Sequence, residues 1–300
     1  MILNRKEIRI HFVKVKGILS SKNGMNLFRG CTHGCIYCDS RSKCYQMNHS
    51  FEDIEVKENS IELLEDRLKR KRKKCMIGMG SMTDPYINEE LKLNYTRKAL
   101  EIINKYGFGL TLITKSSNII RDLDLLKEIN SKTKCVVQMT LTTYDERLCR
   151  IIEPNVSTTK ERFETLIKLR EAGIPTVVWM TPILPYINDT EENIRGILNY
   201  CKEAKVKGIL CFGMGLTLRE GNREYFYSKL DKHFPYLKDK YIREFGNFYV
   251  VNSRNNYRLM KIFRDFCENE KIMHDYNKIF SYLNTFEEKE ISKQLSIFDL

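Results

Sequence analysis

An α/β fold, an open partial barrel of six βα units with a helical extension after it, is the class that this 300-residue sequence predicts. Three observations lead there. From residue 26 to about 215, short apolar runs alternate with polar or glycine-bearing loops and helical patterns, the signature of parallel strands covered by helices. The residues just after successive apolar runs are Cys, Ser, Thr, Asp and Lys, which places chemistry-bearing groups at one end of the strands. After residue 216 the alternation stops. The expected organisation is therefore an N-terminal extension (1–24), a core (25–215), a helical extension (216–283) and a charged tail (284–300).

The strand candidates, in order, are "MNLF" (25–28), "CMIGM" (75–79), "GLTLIT" (109–114), "CVVQMTLT" (135–142), "PTVVWMT" (175–181) and "GILCFGM" (208–214). Six units are too few to close an eight-stranded barrel, so the barrel is expected to stay open. Between them lie helical patterns. Asn59 and Glu62 predict a capping box ahead of Ile61, Leu64 and Leu68; Leu91, Tyr95, Ala99, Ile102 and Tyr106 share a face before Gly107. Thr158 and Glu161 predict a second box before Phe163, Leu166 and Ile167, with Gly173 as the stop, and Asp189 with Glu192 opens a helix carrying Ile194, Ile197, Leu198 and Cys201. In the last third, "NREYFYSKLDKHFP" and "NYRLMKIFRDFCENEKI" predict two amphipathic helices packed on the barrel.

With 42% hydrophobic residues the chain can bury a core, and no apolar run reaches eighteen residues. The start "MILNRKEIRIHF" becomes charged before a signal-peptide core could form, so a cytoplasmic protein with no membrane partner is expected. Ten cysteines in a reducing compartment do not describe a disulfide framework. The net charge of +12 (51 Lys and Arg, 39 Asp and Glu) is compatible with a polyanionic partner. Its densest stretch, "RLKRKRKK" at 67–74, falls at a predicted helix C-terminus, where basic residues complement the dipole, so a solvated helix end explains it first.

Four cysteines fall within "NLFRGCTHGCIYCDSRSKC" (26–44). Cys31, Cys35 and Cys38 form C-x3-C-x2-C, a spacing that lets one loop wrap a soft-metal centre. With His33 or Cys44 as a fourth ligand the loop could hold structural zinc in a basic nucleic-acid-binding module, although no second C-x2-C knuckle is present. With three thiolates on a four-iron cluster, one iron keeps an open position for a ligand. After the strand ends come Ser81, Thr83 and Asp84, then Lys115 and Ser116, then Thr140, Thr142 and Thr143; singly each reads as a helix cap or turn residue. Cys75, Cys135, Cys149 and Cys211 read as buried structural thiols, and His11, His49, His233 and His274 have no partners along the chain that mark them as ligands.

The motif C-x3-C-x-aromatic-C after the first strand of a six-unit barrel resembles the radical S-adenosylmethionine (SAM) superfamily, over residues 25 to about 215. The resemblance implies a 4Fe-4S cluster on Cys31, Cys35 and Cys38, with SAM chelated to the free iron. It further implies one-electron cleavage of SAM to methionine and a 5′-deoxyadenosyl radical that abstracts hydrogen from substrate. More narrowly, "RGCTHGCIYCDSRS", "GSMTDPYINEE", "LITKSS" and "MTLTTYDERLCRIIEP" resemble the spore photoproduct lyase-like, or DNA repair photolyase-like, branch. That resemblance implies Tyr37 beside the adenosyl group, Ser81, Thr83 and Asp84 in the segment that contacts the methionine amine, and Lys115 and Thr140 toward the carboxylate and ribose. It also implies a nucleic-acid substrate and a reductant protein such as flavodoxin or ferredoxin. Two positions depart from the lyases: Ser81 stands where they carry a hydrogen-donating cysteine, and Asp39 where they carry a tyrosine. In the tail, Gln294, Leu295 and Phe298 resemble the short peptide by which bacterial DNA repair proteins dock on the sliding clamp.

Overall fold

The computed structural model describes residues 9–289. The proposed clamp peptide, Gln294 to Phe298, lies outside them. Eleven strands are formed among the described residues: β1 (Ile10–Val13), β2 (Gly24–Met25), β3 (Phe28–Arg29), β4 (Ile54–Lys57), β5 (Met76–Met79), β6 (Gly109–Thr114), β7 (Cys135–Thr140), β8 (Thr176–Trp179), β9 (Gly208–Leu210), β10 (Gly215–Thr217) and β11 (Val250–Asn252). The helices are α1 (Ser60–Arg70), α2 (Glu90–Leu93), α3 (Tyr95–Lys105), α4 (Leu123–Lys132), α5 (Glu146–Ile152), α6 (Thr159–Glu171), α7 (Glu191–Glu203), α8 (Asn222–His233), α9 (Leu237–Phe245), α10 (Asn256–Asn269) and α11 (Tyr276–Asn284).

The central sheet is parallel throughout and runs in chain order, β2-β5-β6-β7-β8-β9, without closing on itself. This is the predicted open barrel of six strands. β6 and β7 show why their sequences read as continuous apolar runs: helices cover one face and the barrel interior the other, so nearly every residue is buried. The interior is not wholly apolar. Gln138 donates to Thr111 Oγ1 at 2.8 Å and accepts from Trp179 Nε1 at 2.7 Å, a polar rung that is satisfied within itself.

Several boundaries differ from expectation, each for a local reason. "MNLF" does not make one strand: β2 enters the barrel, whereas β3 turns away to pair antiparallel with β4, which also takes β1 as a parallel neighbour. β4, "IEVK", alternates apolar and polar residues, with Ile54 and Val56 buried, but four residues are the shortest run that such alternation can mark. The Asn59 capping box is absent; the Asn59 side chain instead accepts from Val15 N and donates to Val15 O, both at 2.9 Å, strapping the N-terminal segment to α1. The Thr158–Glu161 box is present. The α7 cap is Thr190 rather than Asp189, whose carboxylate accepts from Ser253 Oγ. The expected helix through Leu91 and Tyr106 is broken at Asn94, which adopts a left-handed conformation between α2 and α3.

The last third holds four helices and a strand pair, not two helices. Leu259, Phe263 and Cys267 of α10 enter the main core beside α7. Met273 then covers the exposed edge of β9: its carbonyl accepts from Ile209 N at 2.8 Å, which removes an unpaired sheet edge. The antiparallel pair β10–β11 and helices α8 and α9 build a second apolar cluster that includes Cys35, Ile36 and Tyr37. The helical extension therefore packs directly against the cysteine loop. No described helix is long and apolar enough to cross a membrane.

Candidate active site

The loop that follows β3 turns sharply twice. Gly30 has φ +87°, and a Cβ there would stand 2.3 Å from the Asp53 carbonyl; Gly34 has φ +70° and lies against Pro154 and Asn155. Both approaches bring the loop onto other parts of the chain. Cys31 N donates to Phe51 O at 2.8 Å, Ile36 N to Ile152 O at 2.9 Å, and Asn155 Nδ2 to Thr32 O at 2.8 Å, while Thr32 Oγ1 donates to Glu89 at 2.7 Å. The cysteine loop is thus fixed from the N-terminal sheet on one side and from the end of α5 on the other.

A buried charge network stands behind it. Tyr37 OH donates to Glu153, which also receives Thr142 Oγ1 at 3.1 Å and pairs with Arg162; both ionic side chains are fully buried. Arg162 in turn donates to Thr140 O at 2.7 Å and to Cys149 Sγ at 3.2 Å. Burial opposes the charge on Glu153, yet Arg162 and Lys115 outweigh it and hold the carboxyl below its ordinary range. This network ties the position of Tyr37 to the ends of β7 and α5.

The C-terminal ends of the strands face a cavity of 540 Å³. Cys31, Cys35, Cys38, Tyr37, Ser81, Asp84, Lys115 and Thr140 all line it, so the cysteine loop, the β5 and β6 ends and the β7 end meet where parallel βα architecture places chemistry. Thr83 is buried and is not among the lining residues. Asp84 is the organiser of this wall. Its Oδ1 accepts from Tyr86 N at 2.9 Å and Thr114 Oγ1 at 2.7 Å, and its Oδ2 from Lys115 N at 2.7 Å. Lys115 loses proton affinity through burial, but Cys35, Glu153, Cys38 and Asp84 restore and exceed it, so its ammonium stays charged beside Tyr37, 5.9 Å from the ring centre.

The three thiols suit a multinuclear soft-metal group better than one zinc ion. Burial and the neighbouring Cys38 push Cys31 up to about 12, and burial pushes Cys35 well up, so their ionisation calls for a cation in the loop. Ligands of a single tetrahedral zinc, at Zn–S of about 2.3 Å, stand roughly 3.8 Å apart. Among the described residues, neither the cysteine trio nor a trio with His33 forms a group whose ligand atoms all lie within 4.8 Å of one another. His33 Nδ1 lies 3.5 Å from Asp84 Oδ2, and burial, partly opposed by Asp84, keeps this imidazole below its usual range and neutral. Cys44 is exposed beside Arg219 at 3.3 Å and does not line the cavity.

Residues 25–201 match the family description "Radical SAM superfamily". The chain belongs to the radical SAM superfamily. Among curated relatives, an uncharacterized protein of Mycobacterium tuberculosis is 28% identical over 228 residues, 72% of this chain and 65% of that protein. The chain therefore matches just under two thirds of the length of this relative. An uncharacterized protein of Methanocaldococcus jannaschii is 32% identical over 193 residues, 61% of this chain and 71% of its own. A protein of Pseudomonas phage M6 described as a radical SAM Nalpha-GlyT isomerase is 25% identical over 165 residues, 55% of this chain and 33% of its own. Among solved structures, a variant of spore photoproduct lyase superposes with TM-score 0.64 at 17% identity, covering 89% of this chain and 82% of that one. Within the superfamily, this chain has the fold of that lyase.

Sequence reasoning missed Glu153, Arg162, Asn155 and Glu89, as well as the cavity wall of Trp179, Phe212, Val250 and Asn252. One signal was available for Glu153. An acidic residue at the C-terminal end of a helix opposes the dipole, and a group placed there needs a cationic partner elsewhere.

Proposed function

We propose that this radical SAM protein holds a 4Fe-4S cluster on Cys31, Cys35 and Cys38 and uses SAM to abstract hydrogen from a nucleic-acid substrate. The observation that carries the reading is a thiol trio on one loop that opens on a cavity whose wall includes the Lys115 ammonium, the Asp84 carboxylate, the Thr140 hydroxyl and the His33 imidazole and, among the described residues, no fourth cysteine. When bound with SAM, such a cluster supplies one electron to the sulfonium, giving methionine and a 5′-deoxyadenosyl radical that takes a hydrogen atom from substrate.

The chain's own residues then have separate tasks. Lys115 is the cationic partner for the SAM carboxylate, Asp84 faces its ammonium, and the Thr140 and Ser81 hydroxyls serve polar groups of the nucleoside. Tyr37, anchored through Glu153, presents a rigid ring beside the adenosyl group. Trp179 and Phe212 give the rest of the cavity aromatic walls, which exclude water and suit a planar base.

Three facts support a nucleic-acid substrate: the charge of +12, the aromatic wall, and the dinucleoside bound in one solved structure of the same fold. One solved lyase structure, at 16% identity, holds AdoMet and a dinucleoside spore photoproduct. Dimer lysis by the lyase route is not part of the proposal. By the resemblance Ser81 stands at the position of the hydrogen-returning thiol, and an O–H bond is much stronger than S–H; among the described residues, the cysteines that line the cavity are Cys31, Cys35 and Cys38. A flavodoxin- or ferredoxin-like protein is the proposed electron source.

Anaerobic purification tests the reading. The expected protein is brown, absorbs broadly near 400 nm, bleaches with dithionite and then releases 5′-deoxyadenosine from SAM. Supplying damaged DNA, undamaged DNA and tRNA pools separately should raise that release with one of them. A colourless chain after iron and sulfide reconstitution overturns the chemistry; equal release with and without every pool overturns the substrate class.

A further inference from the structure

His11 and His49 are thirty-eight residues apart, yet the fold brings them to one carboxylate. β1 runs parallel to β4 with His11 directly beside Glu55, and the loop that enters β4 returns His49 to the same point. His11 Nε2 lies 3.9 Å from Glu55 Oε2 and His49 Nε2 3.6 Å from it, with the two imidazoles edge to face at 4.8 Å between centres. These separations are too long for hydrogen bonds. They are near the roughly 3.4 Å between ligand atoms that sit about 2.1 Å from a shared tetrahedral metal.

The protonation pattern agrees. His49 Nδ1 lies 2.9 Å from the Ser50 carbonyl, which can only accept, so Nδ1 carries the proton and Nε2 keeps its lone pair. That Nε2 is buried without a hydrogen-bond partner among the described residues. A ring nitrogen oriented by a backbone carbonyl through its other nitrogen is the arrangement that metal-binding histidines show. Arg29, the cross-strand neighbour of Glu55, directs its guanidinium instead to the carbonyls of Tyr45 and Gln46, at 2.5 and 2.9 Å. Among the described residues, the ionisable groups within 4 Å of the Glu55 carboxylate are the two imidazoles.

We propose that His11, His49 and Glu55 form a second metal site, for a borderline divalent transition ion and zinc foremost, completed by water. Two imidazoles and one carboxylate favour zinc over magnesium or calcium, which prefer oxygen. With its His11 side chain 40% exposed, the site is open to solvent on one side, where the water ligand binds. The site's work is mechanical. It joins β1, the loop at 46–53 and β4, and that loop holds the cysteine loop through Phe51 O to Cys31 N. The ion clamps the scaffold of the active site from outside, independently of what the cavity binds.

The test uses the untagged full-length chain, reconstituted anaerobically with iron and sulfide, equilibrated with zinc and freed of excess. About one zinc per chain beyond the iron is expected, with a rise of about 5 °C in melting midpoint at a hundredfold excess over Kd and none with magnesium. His49→Ala and Glu55→Gln should each lower zinc affinity tenfold or more and so cut the shift at that zinc concentration to half or less. His11→Asn, at an exposed position, gives the same readout should His49→Ala fold poorly. C35S/C38S, which removes two thiols of the active-site loop, should keep its zinc equivalent, and this separates the site from failure of the cluster reading. Absence of zinc in the unmodified chain, full zinc retention in His11→Asn, or loss of zinc in C35S/C38S overturns the proposal.

Discussion

Glu153 carries its charge in a fully buried position, held there as a carboxylate chiefly by Arg162. It is fully buried with Arg162, and removing one member of such a pair leaves the other charge uncompensated. Glu153→Gln should therefore lower stability by about 3–5 kcal/mol, read from denaturant midpoints. The sign with pH follows from the depressed folded-state pKa. The stabilisation is complete above the ordinary carboxyl value of 4.5 and is lost as pH falls below it through the folded value. Stability of the unmodified chain should drop below pH 4.5 more steeply than that of Glu153→Gln; parallel curves would contradict this. Lys115 is a second single-residue case. Lys115→Met should leave the 400 nm absorbance in place and lower 5′-deoxyadenosine yield about ten- to hundredfold, because a charge-assisted bond of about 1.5–3 kcal/mol is lost.

At the level of elements, the cysteine loop depends on what it leans against. A side chain at Gly30 meets the Asp53 carbonyl at 2.3 Å in a left-handed backbone region, so Gly30→Ala must displace either the loop or the entry to β4. The expected result is a cost of about 1–3 kcal/mol and less than half the iron of the unmodified chain after reconstitution; unchanged iron content would show that the loop adapts freely. Elements with strong local signals formed as the sequence indicates. "GLTLIT" became β6 without a residue's change, and Thr158 with Glu161 formed the box that starts α6. Elements whose signals were weak or contested did not. Asn59 had a usable N-cap geometry in sequence, but the backbone of Val15 competed for its side chain and won.

Across the whole molecule, the excess of positive charge is a statement about association and not about fold. Under the nucleic-acid reading, binding to single-stranded DNA should weaken steeply between 50 and 200 mM salt, by about tenfold or more, as condensed counterions cease to be released favourably. Fluorescence anisotropy measures it; a flat response would remove charge from the argument for a polyanionic substrate. The helical extension contributes differently. Its apolar cluster reaches Cys35, Ile36 and Tyr37, so core and extension share the burial of the active-site loop.

The sequence by itself determined the six-fold βα rhythm, the end of the strands where chemistry gathers, and the thiol trio with Tyr37, Asp84, Lys115 and Thr140 around it. Those features are local: apolar periodicity, capping and ligand spacing act within a few residues of one another. The tertiary structure alone decided that Glu153 and Arg162 anchor Tyr37, that Cys44 is exposed outside the cavity, and that His11 and His49 meet at Glu55. Those relations are set by strand register and by which loops return to the same place, and contacts made by chain crossing leave no mark on neighbouring residues.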